Sequence, residues 1–399
     1  MSLLKIISSY NLKTWTFPMV LFVLYGFLTY GNYGYLRYSV GGGMTNSFLS
    51  NLVFLRFPIS LLLASSLVYN SFDNKKNNFL IFKRFWDVLL LFVWLIINSL
   101  LTQKFIYPIW FILTFIGFIK LFIHTRKISS NYYEFIIRGL TIILSAYIFG
   151  TILAVFSLPK LVLGSEDIYF SSKTHYTYCV MVVASLILVI NSIKKKKISP
   201  LEWAFVVCCL IVLLFSGRRT PTIVLCINVC VYFFYNRKII IPIIIVLNVF
   251  FIGYDLGDFK TVQRLDRIDY SSNTLDDSSY NERLRLREYY LNKVEDTGYV
   301  GVGLGRIDAE DIYSEKLGTH NTYLSVYHQL GIIGIILWLV IIIKSIYRVL
   351  RNSDHKLKII FLMLFLPFFA IGWVENTFNP GQIMFQYNVG ILILARLLN

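Results

Sequence analysis

The chain has 399 residues, of which 56% are hydrophobic, 17% aromatic and only 15% charged. A soluble domain carries about 25% charged residues, so this composition excludes a soluble globular protein and predicts an integral membrane protein. The formal net charge of +16 would also suit nucleic acid, but the basic residues sit in short loops between apolar runs, where membrane orientation requires them; no nucleic-acid partner is expected.

The apolar runs are mostly about 16–24 residues long, enough to cross a hydrocarbon core of about 30 Å as helices. Transmembrane strands would alternate polar and apolar residues over about 10 positions, and these runs do not. The expected fold is therefore all-α, a polytopic bundle of about twelve transmembrane helices. In chain order the spans fall near 15–31, 51–70, 86–102, 105–123, 134–156, 176–193, 201–216, 221–235, 239–254, 324–347, 357–374 and 382–397. The segment before the first span is polar and carries Lys5, so that run reads as a span and not as a cleavable signal peptide.

Loop charge orients the bundle. Lys5 and Lys13, Lys75 to Arg84, Arg126 and Lys127, Lys194 to Lys197, Arg237 and Lys238, and Arg348 to Lys358 all fall on one side, which should be cytoplasmic. Both termini are then inside. The polar stretch 255–319 becomes one long external loop, with short helices, within a single membrane domain of residues 1–399. Cys179, Cys208, Cys209, Cys226 and Cys230 all lie in apolar spans, so no disulfide framework is expected and they read as small buried hydrophobes.

Two features of the outer side point to chemistry. The first is SGRRTP, which puts Arg218 and Arg219 against the orientation rule in a turn too short to leave the membrane surface. Cations held there are costly unless they bind something anionic, although snorkelling to headgroups would also accommodate them. The second is the loop itself. Ser278 and Ser279 can cap a helix running to about Asp296. Arg283 and Arg287 are four residues apart, so they share a face, beside an apolar stripe of Leu284, Leu291 and Val294. Arg285 points elsewhere, near Glu282 and Glu288, as a solvated or paired charge. Arginine offers a planar fork that suits phosphate and is never deprotonated.

GVGLG follows, Gly301 to Gly305 with Gly303 at its centre; glycines of this spacing let the backbone approach a ligand or another segment closely. It opens no βαβ unit and lacks the Lys-Ser/Thr of a phosphate loop, so a nucleotide fold is not expected. His320 and Asn321 come next, with Thr319 as the expected N-cap of the tenth span. The macrodipole at a helix start disfavours a protonated imidazole, and a neutral histidine can act as a base. Among the other histidines, His124 and His355 fall on the cytoplasmic side, His328 lies inside a span, and His175 at the outer start of span six could line a site. The outer acids show no metal-ligand spacing, and no serine nucleophile motif is present; neither metal nor cofactor is expected.

In order and spacing, SGRRTP, ERLRLREYYL, GVGLG, HNTYL and GIIG (Gly331 to Gly334) resemble the O-antigen polymerase and O-antigen ligase superfamily. The likeness covers roughly residues 216–334. Carried over residue by residue, it implies roles for Arg219 or Arg218, Arg283 and His320. Which of the two turn arginines corresponds stays open, because the family pattern has Ser-Arg-Gly where this chain has Gly217-Arg218-Arg219-Thr220. The resemblance implies a metal-independent glycosyltransferase of the bacterial inner membrane. Its donor would be an undecaprenyl-pyrophosphate-linked oligosaccharide, its partners membrane lipid and a chain-length regulator protein, and its active site would face the periplasm. Two alternatives stay open: an O-antigen ligase acting on the lipopolysaccharide core, and a transporter or flippase of lipid-linked sugars. The last expects internal repeats and charges at the bilayer midplane, which the sequence does not display.

The residues fit the transfer chemistry. Charge grows on a departing pyrophosphate, and outer arginines would stabilise it in a partly dry site; Arg218 or Arg219, Arg283 and Arg287 are the candidates, with Gly303 and Asn321 beside them. His320 would take the proton of the acceptor hydroxyl. Pyrophosphate leaves unprotonated, so no paired carboxylates of the glycosidase type are needed, and a single displacement would invert the anomeric centre.

Overall fold

The computed structural model describes residues 75–128, 132–157, 173–194, 198–215, 219–235, 278–305, 321–378, 380 and 384–398. Among them every regular element is an α-helix: α1 Lys75–Thr102, α2 Ile106–Ile128, α3 Tyr132–Ser157, α4 Lys173–Lys194, α5 Pro200–Phe215, α6 Arg219–Tyr235, α7 Ser278–Asp296, α8 Thr322–Arg351, α9 His355–Val374 and α10 Phe385–Arg396. Six of these (α1, α2, α3, α4, α8 and α9) are long and apolar enough to cross a membrane. The chain is thus a polytopic helical membrane protein. The expected spans at 15–31, 51–70 and 239–254 lie outside the described residues.

The helices divide between two compact units. One holds residues up to Ile81 together with Ile112–Ser172, and the other holds Phe82–Phe111 together with Lys173–Asn399. In the first, α3 opens with a Glu134–Arg138 ion pair one turn apart, at 2.8 Å. On α2, the Phe118 and Phe122 rings meet at a tilt along one face, centroids 5.6 Å apart.

The second unit is built round α4, which packs against α5, α6 and α9. Its Cys179, Val182, Ala184, Leu186, Leu188 and Val189 are all enclosed, so this helix is buried all round. Polar stitches replace the hydrophobic effect that lipid weakens. Pro367 sits inside α9 and has no N–H to offer the carbonyl four residues back. That carbonyl, Met363 O, instead accepts from Asn228 Nδ2 of α6 at 3.0 Å, and the same amide donates to Ser185 Oγ of α4 at 2.9 Å. Helices α1 and α8 leave Leu90, Val93, Ile97, Ile332, Ile336 and Ile343 exposed, as residues that face lipid would be.

Three expectations need correction. The run 382–397 forms α10, yet 12 residues reach only about 18 Å, too short to span, and all twelve are buried. It is an enclosed core helix packed on α8 and α9. Cys208 is exposed on α5, whereas Cys179 and Cys209 are buried and Cys226 and Cys230 half-buried; none is in a disulfide. The N-cap of α8 is Asn321, not Thr319: its φ of −154° is extended and its side chain accepts from Leu324 N.

Candidate functional site

Helix α7 runs from Ser278 to Asp296, the extent expected from the sequence. Its buried stripe is Leu286, Tyr290 and Val294. Of the expected Leu284–Leu291–Val294 stripe, Val294 is buried and Leu291 only half-buried, while the side chain of Leu284 lies outside those described; the buried residues recur at i, i+4, i+8. Burial of side chains of this size contributes about 1.5–3 kcal/mol each, enough to hold an otherwise polar helix. Leu324 of α8 packs on the Leu286–Tyr290 cluster, and the Tyr290 ring meets the His328 ring edge-on at 4.8 Å.

Helix α8 breaks at Gly331, whose φ of 67° and ψ of −164° no helical residue adopts. A break strands carbonyls that the next turn would have bonded, and in a membrane each needs another partner. The glycine turn supplies them. Val302 N donates to His328 O at 3.0 Å and Gly303 N to Gln329 O at 2.9 Å, while Ile332 N donates to Tyr299 O at 3.0 Å. The Trp94 indole of α1 donates to Leu330 O at 2.8 Å. Asn98, one turn on, donates to Val300 O at 3.0 Å. Close approach explains the glycines: a Cβ on Gly301 would sit 2.5 Å from Gly331 N, and one on Gly331 would run into Tyr299 O.

These contacts fix direction. Tyr290 lies level with His328, and Tyr299 lies level with Ile332. Moving C-terminally along α7 and its turn therefore moves C-terminally along α8, so the two helices run parallel here. The N-terminal half of α7, which carries Arg283 and Arg287, heads for the Asn321 end of α8.

Residues 204–339 match the family model described as O-antigen ligase. The match takes in α7, the glycine turn and the Gly331 break, the elements just assembled. A Rickettsia conorii protein named as a polysaccharide ligase is 28% identical over 130 residues, 29% of this chain. The likeness to the O-antigen ligase and polymerase superfamily therefore rests on this one stretch of the chain. It spans only 31% of that relative's length. No solved structure matches the chain.

The candidate residues fare differently. Arg287 is exposed on α7, and Arg285 is exposed beside it. Arg283 is one turn nearer the helix start, and Arg219 is the first residue of α6. Arg218 and His320 lie outside the described residues, although His320 directly precedes Asn321. Asn321 is occupied on both sides of its amide: Oδ1 accepts from Leu324 N at 2.9 Å and Nδ2 donates to Trp373 O at 3.1 Å. Gly303 is buried, its N–H is taken by Gln329 O, and its Cα faces Thr102 of α1. Among the described residues no three His, Cys, Asp or Glu side chains come together as metal ligands would.

Sequence reasoning missed Gln329 and Asn98. Gln329 is fully buried; its Oε1 accepts from Gly305 N at 3.1 Å and its Nε2 donates to Ser325 Oγ at 2.6 Å. A buried amide inside an apolar run was the available signal, because burying one without partners is costly.

Proposed function

We propose that this protein is a surface-polysaccharide (O-antigen) polymerase of the bacterial inner membrane. It transfers glycan from an undecaprenyl-pyrophosphate-linked donor to a lipid-linked repeat-unit acceptor. The observation that carries the reading is the parallel seating of α7 on α8, which directs an arginine helix toward the end of α8 that His320 precedes.

The reaction balances without a metal. The acceptor oxygen forms a bond to the donor's anomeric carbon as the bond from that carbon to the pyrophosphate oxygen breaks. The electron pair leaves on the pyrophosphate, where Arg283, Arg287 and a turn arginine stabilise it through bidentate contacts. The hydroxyl proton goes to the His320 imidazole. One displacement inverts the anomeric centre. The active site and the 255–319 loop face the periplasm, with both termini in the cytoplasm, and a chain-length regulator protein sets polymer size.

A second reading is supported by the name of the family model and of the Rickettsia conorii relative, both ligases: the same donor with the lipopolysaccharide core as acceptor. The glycan banding of a deletion strain separates the two. A polymerase mutant is expected to retain core carrying one repeat unit and to lose long chains. A bare core with lipid-linked polymer accumulating would establish the ligase instead.

A further inference from the structure

The geometry points to Gln329 as a positioning residue, the keystone of a clasp that sets the arginine helix over the Asn321 end of α8. Its bearing on transfer rests on the polymerase reading above.

Gln329 holds the glycine turn at two points. Its backbone carbonyl takes Gly303 N at 2.9 Å, and its side-chain oxygen takes Gly305 N at 3.1 Å. Ser325 Oγ, one turn earlier, receives the amide's Nε2 at 2.6 Å and fixes which way the amide faces. The turn is in turn fastened to α7. Thr297 Oγ1 donates to Val294 O at 2.8 Å and accepts from Gly301 N at 3.1 Å, and Tyr299 N donates to Val294 O at 3.1 Å. Helix α7 is therefore held to α8 in two separated regions, the Leu286–Tyr290 packing on Leu324 and His328 and the clasp. One contact would let α7 pivot; two set its direction. The turn that resembles a ligand cradle has its Val302, Gly303 and Gly305 N–H groups committed to α8, so it acts on the reaction through the helix it aims.

The test uses the full chain in nanodiscs, with the native cysteines changed to alanine and spin labels at Arg285→Cys and Ile336→Cys, both exposed positions. Gln329→Met keeps the bulk and removes both side-chain bonds. Gln329→Glu keeps an acceptor for Gly305 N, and the Ser325 hydroxyl can donate to it. The inter-label distance distribution should be narrow in the parent and in Gln329→Glu, and clearly broader in Gln329→Met. With an undecaprenyl-pyrophosphate-linked oligosaccharide, Gln329→Met should lose kcat by about 10-fold or more and raise the donor KM, since misplacement by about 1 Å can cost on the order of 10²-fold. Gln329→Glu should recover most of both. If Gln329→Met does not accumulate, Ser325→Ala, which frees the amide to turn, carries the same comparison. A distribution that stays narrow without the side-chain bonds overturns the clasp whatever the activity, as does Gln329→Glu behaving no better than Gln329→Met. Broadening in Gln329→Met beside a parent that transfers no glycan would leave the clasp standing and sink the polymerase reading.

Discussion

The two ends of α8 solve the same problem in opposite ways. Near its Arg351 end the guanidinium of Arg396, on the enclosed helix α10, is completely saturated. Nε donates to Ser345 Oγ at 3.0 Å, Nη1 to Asp87 Oδ1 at 2.6 Å and Arg84 O at 3.2 Å, and Nη2 to Asp87 Oδ2 at 2.5 Å and Ile341 O at 2.9 Å. That uses all five donors an arginine has. Asp87 is fully buried and Arg396 nearly so. Near the Asn321 end the polar groups come from glycine backbone and amides, and some are left over: among the described residues His328 Nδ1 and Asn98 Oδ1 have no hydrogen-bond partner, and Arg287 stands exposed. A charge saturated inside a membrane protein is there to hold the fold, whereas uncommitted polar groups at one end mark where a polar ligand can be met.

The largest effect should come at the Asn321 end. His320→Ala should lower transfer by about 10²–10⁴-fold, the usual worth of a general base, while binding of the undecaprenyl-pyrophosphate donor stays near normal, because the base acts on the acceptor. Polymer would be barely detectable, and raising the pH should partly restore it as solvent takes over proton removal. Wild-type chain lengths in this variant would break the contrast between the two ends.

Much of this end was legible in sequence, and the rest was not for identifiable reasons. The extent of α7 follows from the serines at its start, a residue type that helix N-termini favour. Its buried face does not, because Leu284, Leu286, Tyr289, Tyr290, Leu291 and Val294 wrap much of the helix and the docking partner α8 decides among them. Thr319 and Asn321 can both cap a helix, and backbone geometry alone selects the asparagine. Gln329 was invisible as a keystone because Gly305 lies 24 residues before it. At the other end, Asp87 and Arg396 are 309 residues apart, so nothing local in the sequence pairs them. The run forming α10 is as apolar as a span, and hydropathy cannot tell a helix enclosed by protein from one enclosed by lipid.

The saturated end should respond in amount of protein and not in chemistry. Asp87→Asn leaves Arg396 buried without its counter-charge, which typically costs about 3–5 kcal/mol, so thermal unfolding in detergent should shift down and the membrane-inserted yield should fall. Transfer per folded molecule should be unchanged. Asp87→Leu combined with Arg396→Met removes both charges and should recover most of the lost stability, since apolar replacement of a buried pair is often neutral or better. A drop in turnover per molecule in the double variant would mean that this end takes part in the reaction.

The smallest effect separates backbone strain from close approach at the clasp. Gly298 and Gly331 both have positive φ, 61° and 67°, but Gly331 combines it with a ψ of −164°, a region essentially reserved for glycine. Alanine at either must take up a positive φ, at a cost on the order of 1–3 kcal/mol. The surroundings differ: nothing lies within 4 Å of a Cβ at Gly298, whereas a Cβ at Gly331 meets the backbone of Tyr299 and Val300. Gly298→Ala should therefore shift unfolding by only a few degrees, about 2–4 °C per kcal/mol for a protein this large or less, and leave transfer almost intact. Gly331→Ala bears at least that conformational cost and also pushes the turn off α8. Its additional loss, read as turnover in matched amounts of folded protein, measures what seating the turn contributes to aiming α7. Equal behaviour of the two variants would assign the glycines to local conformation alone and remove the need for contact between the turn and the broken helix.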